Sequence, residues 1–192
     1  FSKEEALSRV SIGDSGVFAG EFNKFGNDRV MGKAIDDRFG CALLLELLRQ
    51  ETEYSFDAAF LVQEEVGLRG AKPASFMLSP EIAVVLETTT AADFSDIPKN
   101  RQACKLDDGP VVPFIDQRSV YDKDLYNLAF TVANKEGIHC QTKTVIAGGN
   151  DAGAIASSGN GARVVAISLP CRNLHSGNTV ASLKDIENTR KL

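Results

Sequence analysis

A chain of 192 residues, 43% of them hydrophobic, is long enough to bury a core of its own, which excludes a linker or a tail. Asp and Glu outnumber Lys and Arg by 26 to 21, the net charge is −5, and no basic run marks a nucleic-acid partner. No apolar run approaches the ~18–20 residues of a membrane span and no signal-peptide order opens the chain, so a soluble, cytoplasmic protein is expected. The four cysteines, Cys41, Cys104, Cys140 and Cys171, have no CxxC spacing and read as free thiols.

Taken in order, Ser2 to Glu5 forms a capping-box pattern for a short helix, Val17 to Ala19 is strand-like, and Gly26-Asn27-Asp28 marks a turn. Residues 1–30 therefore look like small β-rich pieces with little core. From Lys33 onward, strands and helices alternate. Asp36-Asp37 precedes a helix whose Phe39, Leu43, Leu44, Leu47 and Leu48 share one face. Phe56 to Val62 is expected as a buried strand, Gly70 to Leu78 as a helix, and Ile82 to Leu86 as a second buried strand.

Asp122 caps the clearest helix, with a stripe of Leu125, Leu128, Ala129, Val132 and Ala133 and a stop at Gly137. Cys140 to Ile146 reads as a strand, Gly148-Gly149-Asn150-Asp151 leads into a short helix, and Val164 to Leu169 is another buried strand. Ser182-Leu183-Lys184-Asp185 opens a last helix. The alternation predicts an α/β fold with a central mixed, mostly parallel sheet sandwiched by helices.

Chemistry concentrates at the ends of these strands. Glu64-Glu65 follows the Phe56–Val62 run and reads either as an acidic pair at a helix start or as charge at the mouth of the sheet. Its neighbours favour the second reading. Asp36-Asp37, Glu64-Glu65, Glu87 and His175 come from separate segments and should meet at one sheet edge. Carboxylates so gathered repel one another, and one histidine among several acids suits a divalent metal such as zinc, cobalt or manganese.

Five stretches carry a more specific likeness. Lys33 to Cys41, Gln63 to Ala71, Glu87-Thr88-Thr89, Gly148 to Gly153 and Leu169 to Ser176 resemble, in order and spacing, the motifs of the tetrahedral metallo-aminopeptidases. That family includes glutamyl and deblocking aminopeptidases, and some members carry an endoglucanase label. The resemblance implies a metal-dependent aminopeptidase acting on short peptides, with two divalent ions, zinc or cobalt, at each site. It makes Asp36 the bridge between the metals, joined to Asp37 by a cis peptide, Glu65 and His175 ligands of one metal, and Glu87 a ligand of the other. Glu64 becomes the general base, and Asp37, Asn150 and Asp151 shape and support the site. Asn150 stands where the family's Gly-Gly-Thr-Asp-Ala form has threonine.

The resemblance also implies a histidine ligand for the second metal from an upstream H-x-D element, whereas this chain has no histidine before His139. His139, between a helix end and a strand start, reads as a surface residue. Residues 1–30 are then expected to be the end of an inserted oligomerisation module and its return segment. Residues 31–192 are expected to form the catalytic domain without its N-terminal part. The whole protein is expected to assemble into a tetrahedral dodecamer, while activity and assembly of this stretch alone stay open. Glutamyl, leucyl and lysyl preferences are all compatible with the sequence.

Three rivals remain at this point. A glycosidase would use paired carboxylates but leave His175 without a role. A cysteine hydrolase would pair Cys171 with His175. A catalytically incomplete subunit would only assemble.

Overall fold

The computed structural model describes residues 2–192. Its centre is a seven-stranded mixed sheet. Helix α1 (Lys3–Leu7) is capped by Ser2, whose Oγ accepts from the Glu5 amide at 3.2 Å, as the sequence pattern predicts. Strands β1 (Asn23–Phe25) and β2 (Arg29–Gly32) form an antiparallel hairpin about the expected turn at 26–28. Residues 17–19, expected as a strand, pair with nothing among the described residues.

Helix α2 (Ile35–Leu47) is followed by α3 (Ala71–Leu78) and β3 (Ile82–Thr90). Then come β4 (Val111–Val112), α4 (Lys123–Lys135), β5 (Gln141–Thr142), α5 (Asp151–Ala156) and β6 (Arg163–Arg172). Strand β7 (Thr179–Ser182) and helix α6 (Leu183–Lys191) end the chain. The strands run β1-β2-β7-β6-β4-β5, and β3 pairs with the other side of β6. β3–β6 and β4–β5 are parallel; β1–β2, β2–β7, β6–β7 and β4–β6 are antiparallel.

Strand β6 explains why the sheet strands read as unbroken apolar runs. Its Val164 and Ala166 pack with Ala152 and Ile155 of α5 and with Ala71 and Tyr121 on one face. Leu169 and Cys171 pack with Ile35 and Val30 on the other. Both faces are covered, so neither side of the strand is left polar.

Helix α4 follows its sequence signals closely. The Asp122 side chain accepts from the amides of Asp124 and Leu125, and Gly137 takes a left-handed φ of +67° just past the helix end. Ser182 behaves differently: it precedes α6, but its hydroxyl donates to Asp107 at 2.7 Å instead of capping the helix.

Two further expected strands are corrected. Residues 56–62 form no ladder, and Phe60 and Val62 are 45% and 67% exposed. Apolar character alone does not make a strand when no neighbouring backbone is in register to accept its hydrogen bonds. The expected strand Cys140–Ile146 contracts to Gln141–Thr142, because β4 offers only two residues to pair with. Leu47 and Leu48 of the α2 stripe also stay exposed, while Leu43 is buried. Among the described residues, no helix is long and apolar enough to cross a membrane.

Candidate metal centre

The first two acids are set by a distorted helix start. Ala34 adopts a left-handed φ of +56°, Asp36 and Asp37 depart from helical geometry, and the peptide joining them is cis, as the resemblance implies. Asp37 Oδ1 accepts from the Gly40 amide at 2.9 Å, tying the acid to the first regular turn. A β-carbon at Gly40 would stand 2.2 Å from Asp37 Oδ2, so this approach needs glycine.

Glu64 and Glu65 sit on a tight loop instead of a strand end. The loop is closed by Gly70 N–H to Val62 O at 3.0 Å, Arg69 N–H to Gln63 O at 3.1 Å and Leu68 N–H to Glu64 O at 2.9 Å. Gln63 and Leu68 take left-handed φ values of +61° and +57°. Glu87 lies inside β3, which runs four residues further than the sequence suggested, and its Oε1 accepts from the Thr88 amide at 2.9 Å. His175 follows β6 on a turn in which Asn173 and His175 are both left-handed. The Ser176 and Thr179 hydroxyls hold that turn by donating to Asn173 O.

These four segments bring the expected ligands together. His175 Nε2 is 3.2 Å from Asp36 Oδ2 and 3.4 Å from Glu65 Oε2. Asp36, Glu65 and His175 form one group with ligand atoms all within 4.8 Å of one another, and Asp36, Asp37 and Glu87 form a second. Asp36 belongs to both groups, the position a bridging carboxylate would occupy. Two carboxylates and an imidazole are a donor set that zinc or cobalt accepts. A cavity of about 270 Å³ opens onto the first group, with Val17, Phe18 and Lys33 on its wall.

Burial and crowding act together on the acids. Burial first, then the charges of Asp151, Glu65 and Asp36, push the Glu64 carboxyl up to about 7. Burial also pushes Asp37 up to about 7 despite the Gly40 amide. Glu87 is raised by burial and by Asp37, and Glu65 by burial and Asp36. A divalent cation in either group would reverse this crowding.

Asn150 and Asp151 stand apart from both groups. Asn150 caps α5, its Oδ1 accepting from the Ala152 amide at 2.9 Å, and its Nδ2 donates to the Tyr121 hydroxyl at 3.2 Å. Tyr121 in turn donates to Asp116 Oδ2 at 2.6 Å, while Asp116 Oδ1 accepts from the amides of Arg118 and Ser119. Sequence reading missed this buried Asp116–Tyr121–Asn150 relay. Its one local signal is the Asp116-Gln117-Arg118-Ser119 pattern of an Asx turn.

His139 faces Asp108, with Nδ1 3.4 Å from Oδ1, on an exposed turn. Cys171 is fully buried and burial pushes its thiol well above the usual range, so it lacks the thiolate a cysteine hydrolase needs.

With this geometry in view, comparison with known proteins is decisive. The sequence profile of the M42 glutamyl aminopeptidase family matches residues 1–192. The chain belongs to that family. It is 33% identical over 195 residues to the lysyl aminopeptidase of Pyrococcus furiosus, covering all of this chain and 55% of that protein. Among solved structures, an aminopeptidase from the archaeon Desulfurococcus kamchatkensis superposes with a TM-score of 0.89 at 32% identity, over 98% of this chain and 54% of that one. The Pyrococcus horikoshii TET1 peptidase, which can assemble into a tetrahedron or a large octahedral shell, gives a TM-score of 0.80 at 33% identity, over 100% and 56%. This M42 chain thus spans little more than half the length of each relative.

Proposed function

We propose that this chain carries most of the active site of a metal-dependent aminopeptidase that removes N-terminal residues from short peptides. The observation that supports it is the convergence of Asp36, Glu65 and His175, from three distant segments, within ligand distance of one another. Asp36, Glu65 and His175 would hold one divalent ion, and Asp36 and Glu87 would contribute to a second. Zinc or cobalt held there would supply Lewis acidity, lowering the pKa of a water and polarising the scissile carbonyl.

Glu64 moves the proton. Its carboxylate lies outside both groups of converging ligand atoms, which leaves it free to accept a proton from the attacking water. It then delivers that proton to the leaving amine. Asp37 holds the helix start beside Asp36, and Asn150 holds the start of α5. Residues 1–30 are assigned to the end of an oligomerisation module. The likeness to the TET1 peptidase supports a tetrahedral assembly for the whole protein.

The test is a panel of glutamyl, leucyl and lysyl chromogenic amides with the full-length protein, with and without zinc or cobalt. Metal-dependent release from at least one amide is expected. Metal-independent release, or cleavage of a glucan instead, would refute the reading.

A further inference from the structure

The cavity of about 270 Å³ beside the metal centre carries one charged residue that the chemistry above leaves unused. Asp36, Glu65 and His175 on its wall converge on one another, and Lys33 is the remaining charged side chain there. Lys33 follows Gly32, the last residue of β2, and precedes Ala34, whose left-handed φ of +56° turns the chain into α2. One turn thus sets both the lysine and, three residues on, Asp36.

The lysine is half-buried, as is Lys143, whose Nζ donates to Ala147 O at 2.7 Å. Lys33, by contrast, has no hydrogen bond and no ion pair among the described residues. It shares its cavity with two acids and pairs with neither, because Asp36 and Glu65 both turn to His175. An ammonium group has three donors and no acceptor, and holding it partly out of water without an acceptor is costly. Its complement is an anion.

The rest of the wall favours an anion that arrives with a peptide. Val17 and Phe18 also line the cavity, and each is 77% exposed. A β-carbon at Gly177 would stand 3.0 Å from Phe18 Cβ, so the phenylalanine rests on the turn that carries His175. This apolar surface strengthens any ion pair formed against it. The volume lies below the ~300–1,000 Å³ of a drug-sized ligand site, room for about one residue beside the metals.

We propose that Lys33 Nζ receives a carboxylate of the peptide substrate. The assignment rests on the aminopeptidase reading above and deepens it. Two parts of a short peptide carry this group next to the bond to be cut: the side chain of a glutamate as the residue to be released, and the C-terminal carboxylate of a dipeptide.

The test uses the metal-loaded full-length enzyme and two pairs of substrates, with kcat/KM as the readout. Glutamyl and glutaminyl p-nitroanilides report the side chain. The dipeptide X-Leu and its C-terminal amide report the terminus, X being the residue released fastest in the chromogenic panel. In Lys33→Met, and in Lys33→Gln as a second variant, the carboxylate-bearing member of one pair loses on the order of 10- to 100-fold more than its neutral partner, the strength of a charged hydrogen bond. A selective loss on the glutamyl anilide assigns the side chain, and one on X-Leu assigns the terminus. Variants that lose nothing, or lose equally on both members of each pair, overturn the assignment alone. A parent that releases no residue from any aminoacyl amide overturns the aminopeptidase reading, and this assignment with it.

Discussion

His175 Nε2 lies 3.2 Å from Asp36 Oδ2, although one residue follows the last long strand and the other begins the second helix. Only the sheet, with α2 on one face and the β6–β7 turn at its edge, brings them together. Removing the imidazole leaves Asp36 and Glu65 as a bare pair of like charges. His175→Ala in the full-length protein is expected to lower zinc affinity at least 10-fold, read by competition with a chromogenic chelator. Unchanged affinity would exclude His175 as a ligand.

The Glu64-Glu65 loop depends on a close backbone approach at Gly70. A β-carbon there would stand 2.4 Å from Val62 O and 2.8 Å from Val62 N, both backbone atoms that cannot swing aside. Gly70→Ala is expected to displace the loop and lower kcat on the order of 100-fold, since misplacing a catalytic group by about 1 Å has that effect. The fold should survive, so far-UV circular dichroism stays unchanged. Parental kcat in the variant would show that the loop tolerates the shift.

A third prediction concerns acid stability. Burial alone would raise the Asp93 carboxyl, but two hydrogen bonds from Arg172, at 2.7 and 2.8 Å, and one from the Leu106 amide outweigh it and hold it below its ordinary range. The folded state therefore binds this proton less readily than the unfolded chain. The pair's contribution is fully present above the ordinary carboxylate range near 3.8 and is lost as pH falls through the lowered value. Asp93→Asn should lower Tm at pH 7, and the gap between variant and parent should narrow as the pH drops below 4. A gap that stays constant down to pH 2.5 would contradict this account.

Much of the fold was legible because local chemistry and tertiary context agree along β3, α4 and β6. Asp122 and Gly137 mark the limits of α4 by the hydrogen bonds and φ they provide. The 56–62 segment misled because its apolar run carries no information about a pairing partner. Ser182-Leu183-Lys184-Asp185 does open α6, but its side chains act elsewhere: the Ser182 hydroxyl donates to Asp107, and Asp185 holds the 107–109 loop through two amides.

The acids of the site were legible as residue types at strand ends, and their meeting follows from which ends share an edge. What the sequence did not show was how unequal those acids are. Asp37 is tied to a helix amide, Glu87 to its neighbour's amide, and Asp151 has a buried oxygen with no donor among the described residues. Such differences arise from packing between distant segments, to which no local pattern corresponds.

The division of labour between Glu64 and Glu65 is the central claim. It is tested most directly by Glu64→Gln in the metal-loaded full-length enzyme, comparing kcat on an aminoacyl amide and metal content with the parent. Loss of general-base chemistry should lower kcat about 10²- to 10⁴-fold while metal content stays at the parental level. Parental kcat in Glu64→Gln, or loss of metal in step with activity, would contradict it.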